Sequence, residues 1–116
     1  MTTQMPAIAA AYVRAINEHD SGAFISLFAA DAIVSDNGRE IRGLPAIQAW
    51  GDTDIFAAQV TLQVIEVAER DGATIVAAKV DGNFDRTGLP DPVIIDHHFA
   101  DEAGKIVGLT CRLAGM

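Results

Sequence analysis

The chain has 116 residues, half of them hydrophobic, and its 8 Lys+Arg against 16 Asp+Glu leave a net charge of −8. That length suits a single domain over residues 1–116, since domains commonly run to roughly 100–150 residues and at this size bury a real core without staples. A surface this acidic repels nucleic acid and anionic lipid, and the one cysteine, Cys111, excludes an internal disulfide and a thiolate metal cage.

The start of the chain has no cationic segment, Arg14 and Glu18 interrupt the apolar stretch after it, and no run approaches the roughly 18 apolar residues of a membrane span. The cytoplasm is the expected location. Pro6 suits the first turn of a helix. Ile8, Tyr12, Ile16 and His19 then fall on one helical face, with Arg14, Asn17 and Glu18 on the other. Asp20-Ser21-Gly22 breaks that helix and caps a second, whose buried side is Phe24, Leu27 and Phe28. Ala32–Ser35 is a short strand ending in the turn residues Asp36-Asn37-Gly38. Gly43-Leu44-Pro45 opens a third helix, with Ile47 and Trp50 on its apolar side and Gly51 as its stop.

The period then changes from helical to two. Val60, Leu62 and Val64 alternate with polar residues, but the phase slips so that Ile65 and Val67 alternate with Glu66. That slip predicts a bulge that bends the strand. Asp71-Gly72 is a hairpin turn before a strand over Thr74–Val80, and Asp81–Pro92 is a loop. Strands over Val93–Phe99 and Ile106–Leu113 flank the turn Glu102-Ala103-Gly104. Helices followed by a meander predict an α+β fold, three N-terminal helices packed on a curved, mainly antiparallel sheet. Such a cone leaves a pocket between its two layers.

Nucleotide loops, zincin and nucleophile-elbow motifs are absent from the sequence, so no cofactor is expected. What remains is a handful of ionisable residues. Asp96 stands inside the strand Val93–Phe99, where Asp is depleted and desolvation costly. It either faces a pocket, with Ile94 and His98 in the same phase, or lies on a solvated face near a basic residue of the next strand. Asp36 ends a strand, as turn aspartates often do, and Tyr12 lies on an apolar helical face. Asp96, His98 and the distant His19 lack any metal-ligand spacing, and no metal is expected.

The sequence resembles the nuclear transport factor 2-like superfamily, which includes SnoaL-like polyketide cyclases and ketosteroid isomerases. The residues that carry the resemblance are Tyr12-Val13, Asp20, Phe28-Ala29-Ala30-Asp31-Ala32-Ile33-Val34, Ile41-Arg42-Gly43 and Asp101-Glu102-Ala103-Gly104-Lys105-Ile106. The resemblance implies a cone-shaped, cystatin-like fold over nearly the whole chain. Laid on ketosteroid isomerase, it implies that Tyr12 is an oxyanion-hole donor, Asp36 the general base and Asp96 a protonated acid that donates a hydrogen bond. Leu113 stands where the isomerases have a pocket tryptophan, Asn37-Gly38 replaces their Asp-Pro, and His98 is an added polar group. These departures count against a steroid substrate.

Under that reading the apolar pocket walls are Phe28, Trp50, Val76, Ala78, Ile94, Leu109, Cys111 and Leu113, with His98 as a further substrate-binding residue. Burial among them keeps Asp96 neutral. A phase slip in Val93–Phe99 like that in Val60–Val67 puts His97 in the pocket in place of Asp96. The expected function is isomerase- or lyase-type proton transfer on a small apolar carbonyl compound, without a cofactor. The alternatives are a non-catalytic carrier of a hydrophobic metabolite and a dimerisation module. The other sheet face is expected to carry Ile75, Ala77, Ile95 and Phe99, too apolar for water, and so to pair two copies into a homodimer.

Overall fold

Pro6 caps the first helix, α1, at Ala7–Asn17, in a computed structural model that describes residues 5–114. The helix buries Ala9, Tyr12, Ala15 and Ile16 on one stripe. It ends in a Schellman motif: the amide of Asp20 bonds the carbonyl of Ala15, that of His19 bonds Ile16, and His19 takes a left-handed φ of 55°. His19 is therefore an exposed helix terminator and not part of the buried stripe the periodicity predicts. Asp20 caps α2 (Ser21–Ser26) as expected, its carboxylate accepting from the amide of Ala23 at 3.0 Å. Phe28 is not on the helix but opens the first strand.

β1 (Phe28–Asp36) turns through Asn37 and Gly38 into β2 (Arg39–Arg42). The φ values of 49° and 91° at those two residues give the left-handed pair that a two-residue hairpin requires. α3 (Leu44–Trp50) carries proline in its first turn, but Gly51 does not stop it: the chain runs on as a π-helical segment, Gly51–Phe56. Gly51 has ordinary helical angles, and a Cβ there would come within 2.7 Å of the Phe24 ring. It is a glycine because α2 packs against it, not because the helix ends.

Four strands complete the sheet: β3 (Thr61–Arg70), β4 (Ala73–Asp81), β5 (Ile94–Glu102) and β6 (Lys105–Leu113). Their order is β2-β1-β6-β5-β4-β3, antiparallel throughout except for the parallel pair of β1 with β6. The predicted bulge is present: pairing steps from Val64 opposite Ala78 to Glu66 opposite Ala77, and the extra residue, Ile65, is 56% exposed. The fold is α+β, with the N-terminal helices packed on one face of a curved sheet and the core between them.

The facing of β5 corrects the expectation. Val76 stands opposite His97 and Ala78 opposite Ile95, and residues paired across a ladder share a face. The inner face thus holds Ile95, His97 and Phe99, while Ile94, Asp96 and His98 lie on the outer face with Ile75 and Ala77. Phe99, 2% exposed, decides the phase by burying the largest side chain of the strand. Ile95 and Phe99 therefore do not belong to the outer face at all.

Candidate active site

Between the helices and the inner face of the sheet lies a cavity of about 210 Å³. An apolar cavity of roughly 150 Å³ holds a benzene ring, and drug-sized ligands occupy roughly 300–1,000 Å³, so this one is of single-ring size. Its walls are mostly apolar, with Leu62, Val80, Val93, Ile95 and Leu113 from the sheet side and Ile16 and Ile55 from the helical side. Phe84 and Leu89, from the loop between β4 and β5, also line it. Four polar groups interrupt the apolar lining to the greatest effect.

Asp36, the last residue of β1, accepts a hydrogen bond at Oδ2 from Trp50 Nε1 at 3.0 Å. The guanidinium of Arg39 lies 3.6 Å from the same oxygen and bonds Asp54 at 2.6 Å. The hairpin turn and α3 thus fix Asp36 from two sides through one of its oxygens. Tyr12 is 1% exposed and edge-on to Phe99 at 5.2 Å. Burial, with the Cys111 sulfur and the Asp36 carboxylate as lesser causes, raises its pKa well above the ordinary phenol value, so its hydroxyl keeps its proton.

His97 is the buried polar residue of the core, and burial lowers its pKa from the ordinary imidazole value against the opposing pull of the Val76 and Ile95 carbonyls and the Asp96 and Asp36 carboxylates. It is the neutral base of the cavity. Cys111, also buried, is pushed up first by burial and then by Asp36, and stays a thiol.

Of the residues the sequence singles out, the fold brings Tyr12, Asp36, Trp50, Cys111 and Leu113 to this one cavity. Phe28, Val76, Ala78 and Leu109 are buried in the core behind its surface. Asp96, Ile94 and His98 are outside it: Asp96 stands opposite Arg112 in register, and Asp96 and His98 line a separate groove of about 440 Å³ on the outer face with Glu66, Arg70 and Arg112. Asp96 therefore cannot donate into the cavity, and His97 takes its place. Sequence reasoning missed Asp54, Phe84, Leu89 and Ile95 as lining residues. The one available signal for the loop pair was an aromatic and a leucine inside a stretch otherwise rich in Gly, Pro and Asp. Among the described residues no three His, Cys, Asp or Glu side chains converge to hold a metal ion, and no helix is long and apolar enough to cross a membrane.

The family model for the SnoaL-like domain matches residues 9–109. No curated protein matches the chain. Among solved structures, a candidate polyketide cyclase from Sinorhizobium meliloti is 30% identical with a TM-score of 0.82, covering 93% of this chain and 95% of its own. A Catenulispora acidiphila protein of ketosteroid isomerase-like fold, solved in complex with trimethylamine, is 21% identical with a TM-score of 0.76 over 94% of this chain and 86% of its own. A candidate ketosteroid isomerase from Kribbella flavida is 15% identical with a TM-score of 0.75, over 95% and 77% of the two chains.

Proposed function

Because the chain belongs to the SnoaL-like domain family of the nuclear transport factor 2-like superfamily, we propose that it catalyses proton transfer on a small, mostly apolar carbonyl compound. Asp36 removes a proton α to the carbonyl and returns it elsewhere on the molecule, and Tyr12 donates to the enolate oxygen that develops meanwhile. The observation that carries this reading is the placement of a carboxylate, held at one oxygen by Trp50, and a protonated phenol on one apolar cavity. With Oδ2 engaged by Trp50 and Arg39, Oδ1 is the oxygen that meets substrate. Apolar walls exclude water and strengthen the Tyr12 hydrogen bond. A single-ring volume argues against a steroid.

The test uses small β,γ-unsaturated ketones as substrates and phenol as the enolate mimic. Asp36→Asn is expected to abolish isomerisation while leaving phenol bound. Tyr12→Phe is expected to weaken phenol binding by about tenfold or more, the loss of one hydrogen bond in a dry site. Phenol binding by the parent with no turnover of any of these ketones would reject the enzyme reading and leave a carrier of a hydrophobic metabolite. We further propose that the outer sheet face pairs two copies of the chain.

A further inference from the structure

His97 presents an unshared electron pair to the cavity. Its Nδ1 lies 3.2 Å from the carbonyl oxygen of Val76. A carbonyl can only accept, so Nδ1 carries the hydrogen, and the neutral ring then has its lone pair on Nε2. Among the described residues every fully buried side-chain nitrogen and oxygen has a partner, and no protein donor bonds Nε2. That nitrogen therefore opens onto the cavity that the ring lines. The ring is fixed there, stacked on Phe99 at 17° and with its centroid 6.0 Å from that of Tyr12.

The cavity thus offers a donor, the Tyr12 hydroxyl, beside an acceptor, His97 Nε2. Its charged lining groups are the carboxylates Asp36 and Asp54, which share the single cation Arg39, itself 57% exposed at the rim. Among the described residues neither lysine nor arginine lines it. A ligand without a donor group leaves Nε2 desolvated and unpaired, and an anionic ligand meets two carboxylates and a lone pair with no cation inside to offset them.

We propose that His97 is a specificity-determining residue whose Nε2 accepts a hydrogen bond from the ligand, so that the cavity selects an uncharged single-ring carbonyl compound bearing a hydroxyl beside the carbonyl and refuses carboxylates. This rests on the cavity being the ligand site proposed above, but its readout is equilibrium binding and not turnover. The two readings can therefore fail separately.

The chain has one tryptophan, Trp50, and it lines the cavity, so its fluorescence reports occupancy. The probes are 2-hydroxycyclohexanone, cyclohexanone and cyclohexanecarboxylate. The hydroxyketone is expected to bind the parent protein about tenfold more tightly than cyclohexanone, the worth of one buried hydrogen bond, and the carboxylate more weakly than either. His97→Phe is expected to erase the preference for the hydroxyketone over cyclohexanone. His97→Gln, which keeps an acceptor, retains part of the preference and serves if the phenylalanine variant does not fold. Equal affinity of the parent for the two ketones, a preference that survives in His97→Phe, carboxylate binding as tight as the ketones, or no binding of any probe would each overturn the proposal. Selective binding of the hydroxyketone without turnover of any ketone would sink the enzyme reading and leave this one standing.

Discussion

His97 is harder to protonate in the folded chain than in the unfolded one, where an imidazole titrates near about 6.5. As pH falls through that value the unfolded chain binds a proton that the folded chain refuses, so folding stability drops until the lowered folded pKa is reached. The effect is worth about 1.4 kcal/mol for each unit of displacement. His97→Gln removes it while the carboxylates contribute to parent and variant alike. The gap in urea midpoint between parent and variant is therefore expected to be wider at pH 7.5 than at pH 5; an unchanged gap would show that His97 titrates as it does in water. Cys111, buried and held as a thiol, is expected to resist a disulfide reagent at pH 8 in the native protein and to react at once in concentrated urea. Both residues show how far single positions were legible. The burial of Tyr12 was legible from the helical phase of its stripe, whereas Asp36, at the end of a short strand, was singled out only through the family resemblance. Asp96 was misplaced because either face of Val93–Phe99 offers an isoleucine and an imidazole. The residue that breaks the tie is Phe99, whose burial is worth more than that of any alternative and which carries His97 inward with it.

Among the elements, α2, α3 and the π-helical segment position the carboxylate, because Trp50 reaches Asp36 from the end of α3. Phe24 of α2 packs on Trp50 and Phe56, with ring centroids 6.2 and 5.4 Å away, and closes over Gly51. Gly51→Ala is expected to push the Phe24 ring aside and cost about 1–3 kcal/mol of stability, the usual penalty of overpacking a filled core, read as a fall in urea midpoint. A change below about 0.5 kcal/mol, typical of uncritical surface positions, would show that the ring moves freely. The sequence could mark this glycine but not its reason, since a helix stop and a close approach both call for a missing Cβ. The bulge at Ile65 was legible because a phase slip in an alternating strand is a local signal. β2 was not: four residues, Arg39–Arg42, with one buried side chain are too short to show a period. Nor was the parallel pairing of β1 with β6, which joins residues too far apart in the chain for any local pattern to reveal.

For the whole molecule the deciding feature is the outer face of the sheet, where Ile75 and Ala77 are only half-covered and stand among Glu66 and Asp96, Arg70 and Arg112. Among the described residues none of these four charges has an ion-pair partner within the chain. A two-fold axis sets a patch against itself, and a patch with two acids and two bases can satisfy both signs in that arrangement, where a patch of one sign could not. The half-covered isoleucine and alanine then gain the apolar burial that drives association, and the charges set the register. Light scattering behind a sizing column is expected to give about twice the 12.2 kDa chain mass at micromolar concentration. Arg112→Glu leaves three acids against one base, so each copy meets its own excess of like charge, and the variant is expected to elute as a monomer with its fold intact by circular dichroism. Raised salt, which screens that repulsion over a Debye length of roughly 3 Å at 1 M, is expected to recover part of the variant's dimer. A parent protein that is monomeric at tens of micromolar, or a variant that dimerises as well as the parent at low salt, would remove this face as the contact between copies.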